Sequence, residues 1–202
     1  SPPDTDQHDL VRIMYVHVGT VSIAYLFLVA NALFSVWVLW KRSQFADVAA
    51  HACAEIGVLL LGLTLVTGSL WGKITWGAFW VWDARLTTTA LLFLMYLGYL
   101  VVRRLPADME VRNRRSAWVA LLAFIDVPIV YFSVEWWRSL HQTATLSLNT
   151  TISGTMLFTL CVSIAVFIAC FGWLLVHRFR LAWLEDEAEM SGLAVAIDER
   201  RA

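Results

Sequence analysis

Five long apolar segments constrain the fold of this chain more than any other feature. They cover residues 17–40, 50–70, 84–102, 116–134 and 152–176, and each is close to the roughly 20 residues that a membrane-spanning helix requires. Hydrophobic residues make up 59% of the 202 positions, against about 45–50% in soluble domains. We therefore predict an all-α, polytopic membrane helix bundle with five transmembrane helices in residues 1–184, followed by a charged cytoplasmic tail at 185–202.

The distribution of basic residues predicts how these segments are oriented in the membrane. Eleven of the 15 Lys and Arg residues lie in segments 41–49, 103–116 and 177–202, and basic loops face the cytoplasm. The N-terminal segment and the loops at 71–85 and 135–151 are then predicted to share the outer side. Because the chain starts with Ser1 rather than Met, we expect a processed or truncated protein. A formal net charge of -1 offers nothing to attract nucleic acid, and the lipid bilayer is the partner that the composition indicates.

The predicted outer loop at 71–85, here called the Trp-rich loop, holds four tryptophans within twelve residues. Its sequence is Trp71-Gly72-Lys73-Ile74-Thr75-Trp76-Gly77-Ala78-Phe79-Trp80-Val81-Trp82-Asp83-Ala84-Arg85. Trp76, Trp80 and Asp83 have the spacing of one helix face, which predicts an amphipathic loop, and Gly72 and Gly77 leave room for a flat ligand. Indoles combined with cations suit a large, flat, apolar ligand that carries acidic groups, such as haem. The alternatives are a helix that lies on lipid and a plain helix start formed by Asp83 and Arg85.

Two histidines are predicted to lie on the same outer side as this loop. His17 begins the first segment and His141 follows the fourth, and imidazoles are common axial ligands of haem iron. Each histidine alone can equally cap a helix or lie among lipid headgroups. The sequence has no CxxCH motif, so we do not expect haem to be covalently attached to this chain.

Further aromatic and basic residues are predicted to belong to the same site. Trp136 and Trp137 precede His141 and either extend the site or form an ordinary aromatic belt. Cationic side chains on the outer side are expected to bind the carboxylates of haem. They are Arg85, Lys73, Arg138 and Arg12.

Three stretches of the sequence carry a resemblance to a known family. They are W-G-x-x-x-W-G-x-x-W-x-W-D-x-R-L-T from Trp71 to Thr87, Arg12-Ile13-Met14-Tyr15-Val16-His17-Val18, and the stretch from Tyr131 through Leu140-His141-Gln142. With these motifs the chain resembles the tryptophan-rich WWD group of haem-handling membrane proteins, and within it the cytochrome c maturation protein C (CcmC) family. The resemblance covers roughly residues 12–176.

The resemblance implies a role in the biogenesis of c-type cytochromes. It implies haem b bound at the periplasmic face of the bacterial inner membrane, or of the equivalent organelle membrane, with His17 and His141 as axial ligands of the iron. It also implies transfer of haem to the chaperone CcmE, in a complex with the ABC transporter subunits CcmA and CcmB and the small subunit CcmD. We expect a haem-binding and delivery subunit rather than an enzyme. The residues expected to bind haem are His17, His141, Trp71, Trp76, Trp80, Trp82, Asp83, Arg85, Lys73, Trp136, Trp137 and Arg138.

The chain departs from the family pattern in three places. The family has six spans and this chain shows five, which we attribute to truncation. Gly19 stands where the family has Pro, so we expect a looser helix entry after His17. Asp126 stands where Asn is expected, and we interpret it as a buried, hydrogen-bonded structural acid, with a proton path as the alternative.

Three other functions stay open at this stage. A cytochrome c haem lyase or synthetase of the same WWD group is a longer chain with further histidines in its spans. A haem transporter would depend on Asp126 and Glu55 within the membrane. A b-type electron-transfer subunit would need histidine pairs in the middle of facing spans, which this sequence lacks.

Overall fold

The computed structural model describes residues 8–141 and 154–201, with side chains as far as residue 192. Within these ranges a short 3-10 turn, Asp9–Val11, precedes six α-helices, which are α1 (Arg12–Lys41), α2 (Gln44–Trp76), α3 (Ala84–Arg103), α4 (Met109–Phe124), α5 (Asp126–Trp136) and α6 (Gly154–Arg201). The described chain contains five helical segments long and apolar enough to cross a membrane: Asp9–Lys41, Gln44–Trp76, Ala84–Arg103, Met109–Trp136 and Gly154–Gly192. The predicted all-α, multi-pass membrane fold is confirmed. Each predicted span coincides with one of these segments, although residues 152 and 153 lie outside the described chain.

Local sequence signals explain where the first two helices end. α1 stops at Arg42, which has a φ of 50°, and Ser43 then caps α2 by accepting a hydrogen bond from the Ala46 N–H at 3.3 Å. α2 ends at Gly77, which has a φ of 76°, a left-handed conformation that glycine adopts without steric cost. The short turn makes α1 and α2 an antiparallel pair, whose contact is the most extensive between helices of the described chain.

The fourth span consists of α4 and α5, which are interrupted only at Ile125. Pro128 lacks a backbone N–H, and its ring clashes with the carbonyl four residues earlier, so it explains the break after Phe124. Asp126 begins α5 and is buried, with 5% of its surface exposed. Its Oδ2 has no hydrogen-bond partner among the described residues, so the expected hydrogen bond is not found at this oxygen.

α6 packs against both α1 and α2. A Cβ added at Gly19 would lie 3.2 Å from Ser163 Oγ and 3.3 Å from a ring carbon of Phe167, so glycine permits the close approach of α1 and α6. The Ser163 hydroxyl also donates a hydrogen bond to the Tyr15 carbonyl at 2.9 Å. The looser helix entry expected at Gly19 is wrong, because α1 runs unbroken from Arg12 through this contact.

The end of the bundle opposite His17 is held by ion pairs, and we call it the arginine end. It is defined by the pairs Arg103–Asp47, Arg178–Glu55 and Arg112–Asp186. The first pair joins α3 to α2 and is nearly fully buried, with side chains 6% and 3% exposed. The other two join α6 to α2 and α4. Helix α6 continues past residue 184 as far as Arg201, and the division into 1–184 and 185–202 stays a prediction.

Candidate functional site

The fold brings His17, the Trp-rich loop and the segment before His141 together at one end of the bundle. We call this the histidine end, defined by His17 of α1, Trp71 and Trp76 of α2, Asp83 before α3, and His141 after α5. Ring contacts join His17 to Trp71 and His141 to Trp76, with centroids 5.7 and 5.2 Å apart. The clustering therefore links residues from both halves of the chain.

His17 is inserted into the bundle, with only 8% of its surface exposed. Its Nδ1 lies 3.1 Å from the Thr67 hydroxyl oxygen on α2. A Cβ added at Gly68 would lie 3.0 Å from His17 Cε1, so the ring rests directly on the α2 backbone. The indole of Trp71 meets the same ring edge-on. Helix α2 thus fixes both the depth and the orientation of the His17 ring.

His141 lies at the partly buried edge of the site. Burial lowers the pKa of His141 to about 4, and the nearby Arg85 guanidinium acts in the same direction, whereas the Asp83 carboxylate opposes both. The imidazole is therefore neutral near pH 7, which is the form that binds a metal. His17 and His141 are close enough to interact electrostatically.

Asp83 connects the Trp-rich loop to the segment that carries His141. Its Oδ1 accepts hydrogen bonds from the Arg85 N–H at 2.9 Å and from the Ser139 hydroxyl at 3.0 Å, and its Oδ2 accepts one from the Leu140 N–H at 2.8 Å. The His141 N–H in turn donates to the Ser139 hydroxyl oxygen at 3.0 Å. Burial alone would raise the pKa of the Asp83 carboxyl, but the bonds from Leu140, Ser139 and Arg85 outweigh it and hold that pKa below its usual value. Asp83 is therefore a charged anchor for residues 139–141.

The helical face predicted for the Trp-rich loop is wrong. Trp76 is the last residue of α2, Gly77 ends that helix in the left-handed conformation, and residues 78–83 are not helical. Trp71 and Lys73 therefore belong to α2, and Asp83 caps α3. Gly72 does allow a close approach, but by the chain itself, since a Cβ there would lie 3.2 Å from the Trp76 indole and 3.3 Å from the Ala78 carbonyl oxygen.

The remaining tryptophans of the loop point outward. Trp82 is 86% exposed and Trp80 is 36% exposed, with their rings 5.9 Å apart and edge-to-face. Trp136 and Trp137, at the end of α5, are also exposed and contact each other at 5.9 Å. These four indoles form an open aromatic rim around the more buried histidines.

The candidate cations differ in how they are held. The Arg85 guanidinium donates to the Tyr131 carbonyl at 2.8 Å, while its buried Nε has no partner among the described residues. Lys73 donates to the Gly77 carbonyl at 2.9 Å and so closes the turn after α2. Arg138 is exposed, and Arg12 pairs with Asp9 at the surface. Arg85 is the cation with an unused buried donor at the site.

The donor set at the histidine end fits haem. Two imidazoles on separate elements are donors of the kind that bind the iron of a macrocycle. Indoles beside both imidazoles match an apolar ring, and the free Arg85 Nε–H matches a carboxylate.

Comparison with known proteins points to one family. A family model described as "Heme exporter protein C" (CcmC) matches residues 1–193. The chain belongs to the CcmC family. Its helices and motifs are therefore those of one member of a multi-pass membrane family with bacterial and mitochondrial homologues.

Individual relatives agree with the family match. A "Heme exporter protein C" of Haemophilus influenzae is 37% identical over 192 residues, covering 94% of this chain and 78% of that protein. One from Bradyrhizobium diazoefficiens is 42% identical over 146 residues, covering 72% of this chain and 56% of that protein. A "Putative cytochrome c biosynthesis ccmC-like mitochondrial protein" of Marchantia polymorpha is 39% identical over 168 residues, covering 83% and 71%. The chain thus spans between about half and four-fifths of the length of these relatives.

Sequence reasoning missed four residues that build the site. They are Thr67, Gly68, Tyr131 and Ser139. Threonine and serine carry no distinctive signal, and each acts through a contact about 50 residues away in sequence. Gly68 was recognisable only as one more helical glycine. Gln142, part of the matched motif, lies outside the described residues.

Proposed function

We propose that this chain binds haem b at the histidine end and presents it to the chaperone CcmE for covalent attachment during c-type cytochrome biogenesis. The observation that carries the proposal is the pairing of each candidate axial ligand with an indole of α2, His17 with Trp71 and His141 with Trp76. Two imidazoles on separate elements suit the two axial positions of one iron. The names of the relatives, which refer to haem export and to cytochrome c biosynthesis, support the same function.

In this proposal the protein acts by presentation rather than by acid–base chemistry. His17 holds one axial position from a rigid buried helix, and His141 holds the other from a segment anchored by Asp83. Arg85 binds a propionate through its free Nε–H. Residues Trp80, Trp82, Trp136 and Trp137 leave an exposed rim on which the chaperone docks. Binding haem with one vinyl group directed toward the chaperone accelerates covalent attachment, because the two reacting groups are held close together in the right orientation.

The cellular setting follows from the charge distribution and the family. We propose that the histidine end faces the periplasm of a bacterial inner membrane, or the equivalent side of an organelle membrane, because the arginine-rich loops lie at the other end. CcmA and CcmB, the ABC transporter subunits, and the small subunit CcmD are the proposed partners in the membrane.

A transfer assay with purified components tests this function. The chain is loaded with haem in detergent and mixed with apo-CcmE, and covalent haem on the chaperone is measured after denaturation. We expect Trp82→Ala to raise the CcmE concentration needed for half-maximal transfer by roughly thirtyfold, since an interface Trp contributes about 2 kcal/mol. Haem loading of the variant is measured alongside, so that a loss of haem binding is told apart from a loss of docking. Trp82 is 86% exposed, so the fold does not depend on it.

Trp40→Ala is the matched control for this assay. Trp40 is 76% exposed and lies in the last turn of α1, at the arginine end, so its removal should leave transfer unchanged. Transfer that is equally fast with the Trp82 variant and wild type would exclude the rim as the docking surface. Failure of the wild-type chain to retain haem would contradict the proposed function itself.

A further inference from the structure

The hydroxyl of Thr67 lies between the ring of His17 and the backbone of its own helix. Thr67 Oγ1 is 2.7 Å from the Leu63 carbonyl oxygen and 3.3 Å from the Thr64 carbonyl oxygen. On its other side it is 3.1 Å from His17 Nδ1. A hydroxyl has one proton to donate and two lone pairs to accept with. The Thr67 hydroxyl donates its proton to the α2 carbonyls, because carbonyls can only accept. A lone pair of the same oxygen then faces His17.

This arrangement determines which nitrogen of His17 carries the proton. Because the Thr67 oxygen acts as acceptor toward the ring, Nδ1 must be the donor, and a neutral imidazole protonated at Nδ1 has its lone pair at Nε2. The opposite tautomer would require the Thr67 proton to leave the 2.7 Å bond to Leu63. Metal-binding histidines commonly donate their second ring N–H to a fixed acceptor, which sets tautomer and ring orientation.

We propose that Thr67 is a positioning residue that holds His17 in the Nδ1–H tautomer, so that Nε2 is ready to bind the haem iron. The inference rests on the proposed function for its purpose, but the tautomer belongs to the haem-free protein. Gly68 also contributes, because glycine has no side chain and the His17 ring can therefore lie directly against α2. A Cβ added at Gly68 would be 3.0 Å from His17 Cε1. Thr67 itself does not touch haem.

The experiment is a long-range ¹H–¹⁵N correlation spectrum of the haem-free protein labelled with ¹⁵N-histidine. Signals of His17 are assigned by their loss in His17→Ala. We expect the wild type to show a protonated Nδ1 and a lone-pair Nε2 at this residue. Thr67→Val removes the hydroxyl at nearly constant shape and should weaken the preference, leaving the Thr64 backbone carbonyl as an acceptor beside the ring. Thr67→Ser, which keeps the hydroxyl, should retain the preference.

Haem affinity gives the second readout. Loss of such a partner typically reduces metal affinity by about ten- to a hundredfold, so we expect that loss for Thr67→Val and near wild-type affinity for Thr67→Ser. Thr159→Val is the control. Like Thr67, Thr159 donates its hydroxyl proton to the backbone carbonyl four residues earlier in its own helix, here that of Thr155 in α6 at 2.8 Å.

The outcomes separate the inference from the function on which it rests. A wild-type His17 protonated at Nε2, or an unchanged tautomer in Thr67→Val, would overturn the role of Thr67 while leaving haem binding intact. A His17→Ala variant that binds haem as the wild type does would instead overturn the role of His17 as a haem ligand in the proposed function, even if the wild type shows the expected tautomer. If Thr67→Val does not fold, the wild-type spectrum and the Thr67→Ser variant still decide the question.

Discussion

Small neighbours, together with the indoles of Trp71 and Trp76, position His17 and His141. Thr67 and Gly68 set the position of the His17 ring, and Ser139 binds the backbone of His141. The sequence could predict that the histidines and tryptophans lie at one end of the bundle, because span lengths and loop charges assign their segments to the same membrane side. The small residues were not predictable, because their role comes from tertiary contacts that no local pattern encodes.

Gly68→Ala should weaken haem binding and lower the stability of the protein only moderately. The new Cβ would meet His17 Cε1 at 3.0 Å, so the ring must move away from Thr67, and overpacking of this kind costs about 1–3 kcal/mol. Alanine returns about 0.8–1.0 kcal/mol of helix propensity, so the unfolding free energy should fall by no more than about 2 kcal/mol. Haem titration and thermal unfolding in detergent measure the two effects separately.

Gly98→Ala is the control for this substitution. A Cβ at Gly98 meets no described atom within 4 Å, so haem affinity should match the wild type and stability should not fall. If Gly68→Ala binds haem as tightly as Gly98→Ala, the close contact between α2 and His17 has no role in binding.

At the scale of elements, the segment between α2 and α3 is a non-helical loop rather than a helix. The spacing of Trp76, Trp80 and Asp83 predicted one helical face, but Gly77 ends α2 in a left-handed conformation and Asp83 starts the next helix as its cap. Periodicity alone cannot reveal such an end, since the same spacing occurs by chance in a loop. Asp83 is thus the N-cap of α3, and its carboxylate also accepts hydrogen bonds from the Ser139 hydroxyl and the Leu140 N–H.

Asp83→Ala should both destabilise the protein and disturb the His141 side of the site. Losing the cap of α3 costs about 0.5–2 kcal/mol, and the Ser139 and Leu140 donors lose their acceptor. We expect a lower unfolding temperature together with weaker haem binding. Asp108→Ala is the matched control, because Asp108 precedes α4 without making a side-chain capping bond. Equal effects of the two substitutions would show that Asp83 does not anchor the His141 segment.

Over the whole molecule, the histidine end lies opposite the arginine end, where ion pairs join the helices. Long apolar segments predicted the five spans, because a helix in lipid must satisfy its backbone internally and needs a fixed length. Which spans touch was not predictable, since the packing of α6 on α1 uses tertiary contacts such as the close approach of Gly19 to Ser163 and Phe167. The arginine end stabilises the bundle away from the site.

Asp47→Asn should destabilise the bundle without altering the haem site. It leaves Arg103 charged and buried without its partner, and breaking a buried pair costs about 3–5 kcal/mol. Glu110→Gln, which breaks the exposed Arg42–Glu110 pair, should cost less than about 1 kcal/mol. Thermal unfolding of the haem-free protein compares them. A changed haem spectrum in folded Asp47→Asn would show that the two ends are coupled.

The visible absorption spectrum of the haem-loaded protein tests the central claim most directly. Wild type is compared with His17→Ala, His141→Ala and the control His177→Ala, whose ring packs on Trp173 along α6 rather than at the histidine end. The account predicts a six-coordinate, bis-histidine spectrum in wild type and in the control, and a perturbed spectrum in each of the other two variants. Unchanged coordination in both His17→Ala and His141→Ala would contradict the assignment of these residues as axial ligands.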